Sequence, residues 1–179
     1  MSIKDTWQSF FGDGVPIAYL LRKSNANVWF RIHSLPDSKR YPEDEGEMQE
    51  TLRRHNTVAS EVLQENAACV LFFPEYAIKK LAPIFSEVAS ASLFYHYEDE
   101  DADIMQYALE TVWQPHKFDP VLRLVANDEI CYVSWLNSES GEIFAPYDGG
   151  ADLFLSSTQR RDELRARYSS WLSRHPQGL

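Results

Sequence analysis

The sequence predicts an α+β fold, in which helices pack against a single layer of largely antiparallel sheet, with a mixed α/β order as the alternative. Two segments carry apolar residues at helical spacing, several short apolar runs have the length of strands, and turn residues join some of these runs as in hairpins. Hydrophobic residues make up 44% of the 179 residues, which is enough for a packed core. We therefore predict a single domain over residues 1–179.

The first quarter of the chain is predicted to form a short helix and a hairpin. An apolar patch of Trp7, Phe10 and Phe11 indicates the helix. Residues 16–22 and 27–35 are predicted as the two strands, joined by a polar turn. In the second strand, apolar and polar side chains alternate with the period of a half-buried strand.

The long helix over residues 43–65 is the clearest element. Acidic residues occupy its first turns, where the helix dipole favours negative charge. Its apolar stripe also carries His55, which we interpret as a half-buried residue rather than a base. The stripe consists of Met48, Leu52, His55, Ala59 and Val62.

The rest of the chain is predicted to be rich in strands. Residues 75–89 have helical spacing, but Pro83 interrupts them. A capping box of Ser156 and Gln159 predicts the start of the last helix. A polar turn at residues 137–141 predicts a hairpin between its flanking strands. The predicted strands are residues 67–73, 92–97, 105–113, 130–136, 142–145 and 153–155.

The excess of acidic over basic residues limits the kinds of molecule that the protein can bind. There are 17 Lys and Arg against 27 Asp and Glu, a formal net charge of −10, which repels phosphate backbones and argues against a nucleic acid. A basic protein is the partner that this charge favours, with plain solubility as the alternative explanation. No signal peptide and no apolar run of ~20 residues are present, so we predict a cytoplasmic protein without membrane contact.

The densest acidic run is a candidate surface for the basic partner. It consists of Glu98, Asp99, Glu100, Asp101 and Asp103. The run lacks the alternating spacing and the glycine of an EF-hand loop, which argues against calcium. A solvated loop is the alternative to partner binding.

A second candidate site lies at the most motif-like segment, where Gly149 and Gly150 separate two aspartates. Tyr147, Asp148 and Asp152 are the candidate ligand-binding residues. In an extended chain the two carboxylates would stand roughly 13 Å apart, but a tight turn would bring them closer and let them hold a hard cation. The alternative is structural: Asp148 accepts backbone N–H groups of the turn, and the glycines supply positive φ angles.

The sequence offers no catalytic, cofactor or metal signature. It has no phosphate-binding glycine-rich loop and no Gly-x-Ser-x-Gly elbow. No histidine pair has the spacing of a helical zinc site. Cys69 and Cys131 both lie in apolar runs, so we expect core thiols rather than a nucleophile. We therefore predict no catalytic residue, no cofactor and no metal.

The C-terminal third resembles a bacterial domain family of unknown function. The segment Ile-Phe-Ala-Pro-Tyr-Asp-Gly-Gly-Ala-Asp-Leu-Phe-Leu is followed by a helix that closes with Trp171 and Leu172, as in that family. The family's turn is Tyr-Asp-Asp-Arg-Gly-like or Tyr-Asp-Gly-Gly-like, and here Gly149 and Gly150 replace the second Asp and the Arg. The helix and strand over residues 57–73 resemble an earlier unit of the family. The resemblance implies no activity, cofactor or substrate.

These observations favour a small acidic protein that acts by binding a basic partner, of immunity or adaptor type. The alternative is a small-ligand-binding protein or an enzyme, with its site at the turn from Tyr147 to Asp152.

Overall fold

The computed structural model describes residues 2–100 and 102–173. Over this part of the chain, six α-helices and seven strands alternate irregularly, with short 3-10 turns at residues 36–38, 75–77, 86–90 and 169–171. The helices are α1 Ile3–Phe11, α2 Ala18–Ser24, α3 Glu45–Leu63, α4 Ile78–Leu81, α5 Asp119–Ala126 and α6 Thr158–Arg167. The strands are β1 Trp29–His33, β2 Ala68–Pro74, β3 Ser92–Glu98, β4 Asp103–Val112, β5 Ser134–Asn137, β6 Ile143–Tyr147 and β7 Gly150–Phe154.

All seven strands belong to one sheet, in the order β1-β7-β6-β5-β2-β4-β3. Each neighbouring pair is antiparallel, which confirms the predicted α+β class. Three hairpins join β3 to β4, β5 to β6 and β6 to β7, so the predicted hairpin at residues 137–141 is also confirmed. The strand β1 lies at one edge of the sheet and pairs with β7, near the opposite end of the chain.

One face of the sheet packs against α3 and α5. Trp113 lies at the centre of this core and stacks on Phe118, with ring centroids 5.5 Å apart. Trp135 and Phe144 contact Trp113 from the sheet side at 5.8 and 6.0 Å. This core also includes the apolar stripe of α3, whose apolar members are all buried, together with the neighbouring Val58.

The other face of the sheet is covered only in part. Trp7 of α1 and Leu21 of α2 pack against the middle of the sheet, with the Trp7 ring centroid 5.2 Å from that of Phe72. Near β1 and β7, the same face carries polar side chains, among them Arg31 and Asp152, which form the wall of a cleft.

The first predicted hairpin is wrong, because its first strand is the helix α2. The spacing of Ile17 and Leu21 fits both an alternating strand and one turn of a helix. In the structure both side chains are buried, with Ile17 at the N-cap of α2 and Leu21 inside it. The strand β1 then has no neighbour next to it in the sequence and pairs with β7 instead, from Trp29 opposite Phe154 to His33 opposite Gly150.

Two further boundaries differ from the prediction, and a third agrees with it. The last helix begins one residue later, because Ser157 caps it by accepting a bond from the Arg160 N–H at 3.1 Å, while Ser156 donates to Glu142. Residues 130–133 are not a strand, since φ at Tyr132 is 59°. The helical segment after β2 ends before Pro83, as the proline led us to expect.

Candidate functional site

The turn between β6 and β7 is tight. Tyr147 pairs with Gly150, and only Asp148 and Gly149 lie between the two strands. The expected positive φ angles are not found here, because among the described glycines only Gly12 and Gly141 have φ in the left-handed region. Gly150 is required for another reason: a Cβ atom there would lie 2.0 Å from the carbonyl oxygen of Ile32 in β1. The glycine therefore allows close pairing of β1 with β7.

Tyr147, Asp148 and Asp152 line the same cleft, which has a volume of about 500 Å³. The cleft occupies the part of the sheet face that α1 and α2 leave uncovered. Its walls come from α2, from the loop before α3, from the loop between α5 and β5, and from the β6–β7 turn. The other lining residues include Tyr19, Arg31, His33, Ser38, Arg40, Asp128, Cys131, Tyr132 and Ser134.

Asp152 binds Arg31 of the neighbouring strand in a bidentate pair. Arg31 Nε donates to Oδ1 at 2.8 Å and Nη2 donates to Oδ2 at 3.0 Å. Trp29 Nε1 also donates to Asp152 Oδ1, at 2.9 Å. The Arg31 guanidinium lies 4.4 Å from the ring centroid of Tyr147. Burial opposes the charge on Arg31, but the hydrogen bond and the charge of Asp152 outweigh it and raise the Arg31 pKa.

Asp148 is bound to a different arginine. Arg40 Nε donates to Asp148 Oδ2 at 2.7 Å, and the Arg40 side chain is 63% exposed at the mouth of the cleft. The Tyr41 hydroxyl also bonds to Asp148, which raises the Tyr41 pKa. Each aspartate of the turn thus neutralises its own arginine. The two carboxylates do not form the open pair that a hard cation would need.

The loop between α5 and β5 forms a strained wall of the cleft. Asp128 and Tyr132 have φ angles of 55° and 59°, a region that non-glycine residues rarely occupy. Gln106 Nε2 donates to the Tyr132 carbonyl at 3.0 Å, and the Cys131 N–H donates to the Tyr76 hydroxyl at 2.9 Å. These two bonds hold the loop in place. Backbone strain of this kind is concentrated at binding and catalytic sites.

Cys131 is not the core residue that we expected. Its side chain is half-buried at the cleft, and its Sγ lies 2.9 Å from the Tyr76 hydroxyl. Burial raises the pKa of this thiol, against the opposing effect of the bond to Tyr76. Cys69 is buried as predicted, and burial raises its pKa to about 11.

Comparison with known protein families identifies the family of this chain. Residues 17–176 match the family described as Domain of unknown function (DUF3885). The chain belongs to the DUF3885 family. This finding confirms membership of a domain family of unknown function, as the C-terminal resemblance indicated. Searches of the curated proteins and of the solved structures give no match.

Among the histidines that the structure describes, His55 of α3 and His33 at the end of β1 are the most buried. His55 Nε2 is 2.8 Å from Ser34 Oγ, and full burial lowers the His55 pKa to about 4. His33 lines the cleft, and its pKa is lowered by burial and then by the charge of Arg31. The His55 ring is therefore neutral at pH 7.

The acidic run forms the turn between β3 and β4. Glu98 pairs with Asp103 at the end of the hairpin, and Glu98, Asp99, Glu100 and Asp103 are exposed. Asp101 lies outside the described residues. None of the described acidic side chains of the turn lines the cleft. The two candidate sites adjoin through Tyr97, which donates to Asp99 and also interacts with Tyr19 of the cleft wall.

Across residues 2–100 and 102–173, no three His, Cys, Asp or Glu side chains are grouped so that they could hold a metal ion. Over the same residues, no helix has the length and apolar character needed to cross a membrane.

The arginines of the cleft were missed by the sequence reasoning. Arg31 and Asp152 are 121 positions apart, and no local motif connects them. One signal was present: the alternation that buries Phe30 and Ile32 on one face places Arg31 on the opposite face of β1. A charged residue between buried neighbours in a strand indicates a polar partner across the sheet.

Proposed function

We propose that this protein acts by binding, and that the cleft beside the β6–β7 turn takes a small polar ligand. The observation that supports this proposal most is the Arg31–Asp152 pair on a sheet face that opens into the cleft. Buried ion pairs contribute little stability compared with apolar residues of the same size. Retaining such a pair at the wall of a cleft favours a role in recognition.

The shape and rigidity of the cleft support the same proposal. Small-molecule sites are commonly ~300–1,000 Å³ in volume, and this cleft has about 500 Å³. Its wall at Tyr132 is strained, and it is held by a bond from Gln106 to the Tyr132 carbonyl and by a bond from the Cys131 N–H to the Tyr76 hydroxyl. A wall fixed in advance reduces the entropy lost when a ligand binds.

A screen of small polar compounds by amide NMR tests the proposal. We expect some compounds to shift the amides of Tyr132, Tyr147 and Asp152 together. The same compounds should slow alkylation of Cys131, which lines the cleft, whereas buried Cys69 serves as the unreactive internal control. The proposal fails if no compound shifts the cleft amides, or if every bound compound shifts only residues elsewhere.

A basic protein partner at the β3–β4 turn is the second candidate. Its support is the exposure of Glu98, Asp99, Glu100 and Asp103 at one end of the sheet, in a protein of net charge −10. Complementary charge speeds such an encounter, and salt weakens it. A pull-down from host extract at low and at high salt, with wild type and with Glu98→Gln/Glu100→Gln, tests this candidate. A partner that persists in high salt, or with the double variant, would argue against it.

A further inference from the structure

We propose that the ligand of this cleft carries a cationic group, an ammonium or a guanidinium, which lies against Tyr19, Tyr132 and Asp128. This inference rests on the proposed binding function and names its ligand class. The three residues are called the cation wall below. They come from α2 and from the loop before β5, and all three line the cleft.

The first support is the charge within the cleft. Arg31 is engaged by Asp152, and Arg40 is engaged by Asp148, so both arginines are neutralised by carboxylates of the same cleft. Asp128 is the remaining charged side chain of the lining. Its carboxylate forms no hydrogen bond or ion pair with the residues that the structure describes, and its charge contributes to the raised pKa of Arg40. The cleft therefore has one negative charge in excess.

The second support is aromatic. The rings of Tyr19 and Tyr132 have their centroids 6.1 Å apart, at 48° to each other, and both are only half-buried. Aromatic faces attract cations, and pairs of rings with a nearby carboxylate are used to recognise organic ammonium groups. Ring faces and a free carboxylate would not favour a carboxylate or phosphate ligand.

The third support is the arrangement of the cation wall. The carbonyl of Tyr132 accepts a bond from the fully buried Gln106, at 3.0 Å from Nε2, and this bond fixes the strained backbone that presents the ring. Gln106 therefore acts as a positioning residue. The adjoining acidic turn, reached from Tyr19 through Tyr97, extends the negative field beyond the mouth of the cleft.

Two sources would supply such a cation: a free organic amine, or a Lys or Arg side chain of a protein partner. The same chemistry recognises both, so the probes must separate them. Agmatine represents the free cation, and an acetylated and amidated Gly-Arg-Gly peptide represents the side chain. Succinate is the matched anion, and 1,4-butanediol is the neutral control.

Each probe is titrated into the full chain, and binding is followed by amide NMR and calorimetry. We expect a cationic probe to shift the amides of Tyr19 and Tyr132, and the two controls to bind at least about tenfold more weakly. If the peptide binds and agmatine does not, the source is a protein side chain. If agmatine binds at least as well as the peptide, the source is a free amine.

Three variants localise the binding. Asp128→Asn removes the free charge, and asparagine tolerates the φ of 55° at this position, so the fold should be kept. We expect it to weaken the cationic probe about tenfold. Tyr19→Leu should weaken it about two- to fivefold. Asp13→Asn lowers the net negative charge equally but lies away from the cleft lining, and we expect it to bind like wild type.

The inference is overturned if neither cationic probe binds, if succinate binds better than agmatine, or if Asp128→Asn binds as Asp13→Asn does. Failure of this inference and failure of the proposed function are distinguishable. If neutral or anionic compounds shift the cleft amides while cations do not, the cleft is a binding site for a different ligand class. If no compound shifts them, the binding proposal itself is wrong.

Discussion

Asp148 in the β6–β7 turn and Asp152 in β7 permit a matched comparison of two ion pairs at one cleft. Both carboxylates are buried, at 7% and 6% exposure, and each accepts a bond from an arginine Nε at 2.7 or 2.8 Å. Their partners differ, because Arg40 is 63% exposed and Arg31 is 17% exposed. We predict that Asp152→Asn destabilises the protein much more than Asp148→Asn does.

The loss of stability in each variant depends on how exposed the arginine is that has lost its carboxylate partner. Removing one partner of a fully buried pair costs ~3–5 kcal/mol, and the partial exposure of Arg31 reduces this to about 2–3 kcal/mol for Asp152→Asn. Arg40 regains water almost completely, so Asp148→Asn should cost less than about 1 kcal/mol. For a chain of this size, Asp152→Asn should lower the melting temperature by about 5–10 °C, and Asp148→Asn by less than about 4 °C.

Urea unfolding of both variants measures the difference. The two substitutions change the net charge equally and lie four residues apart at the same cleft, so each controls for the other. Equal destabilisation by the two variants, or a cost below about 1 kcal/mol for Asp152→Asn, would show that exposure of the arginine does not set the cost.

A double replacement separates stability from binding. Arg31→Met with Asp152→Leu removes both charges, and we expect it to recover most of the stability that Asp152→Asn loses. If the ion pair serves recognition, the double variant folds but no longer binds the compounds that shift the cleft amides. A double variant that binds like wild type would remove the main support for the proposed function.

Three further predictions concern the fold. The pKa of His55 is about 4 in the folded chain and near 6.5 in the unfolded chain. The contribution of His55 to the free energy of unfolding is therefore full above pH ~6.5 and decreases as the pH falls towards 4. We expect a loss of about 2 kcal/mol between pH 7 and pH 5. Urea unfolding at both pH values should show a smaller loss in His55→Gln. Gly150→Ala places Cβ 2.0 Å from a backbone oxygen and should cost about 3 kcal/mol or more, whereas Gly149→Ala meets only movable side chains at 3.0 and 3.2 Å and should cost less in the same assay. Ser157→Ala should cost about 1 kcal/mol through loss of the helix cap, and thermal melts would detect it.

The elements whose apolar residues follow a clear pattern of spacing or length could be predicted from the sequence. The stripe of α3 has one clear period, and the short length of the apolar run of β2 favours a strand over a helix. The structure confirms both. The seven residues of α2 fit both a strand and a helix in the sequence, and in the structure they form a helix that packs on the sheet. The positive φ of Tyr132 could not be predicted in this way. It depends on the bond that Tyr132 accepts from Gln106 and on the bond that Cys131 donates to Tyr76, and both partners are distant in the sequence.

The candidate site was predictable in part. Gly149 and Gly150 indicated a turn, and the turn brings Tyr147, Asp148 and Asp152 to one cleft. The arginines that neutralise the aspartates depend on the register of β1 against β7 and on the path of the loop before α3. Neither is a local property of the sequence, so the electrostatics of the cleft followed only from the structure.

The pairing of β1 with β7 also has a consequence for synthesis of the chain. Residues 29–33 leave the ribosome long before residues 150–154, and at ~5–20 residues per second the interval is about 6–24 s. Over that interval β1 has an unpaired edge, and contacts so distant in the sequence form slowly. The cleft acquires both of its ion pairs only when nearly the whole chain has been made. A nascent or truncated chain that lacks β7 would therefore bind no ligand there, and its free β1 edge would be open to aggregation.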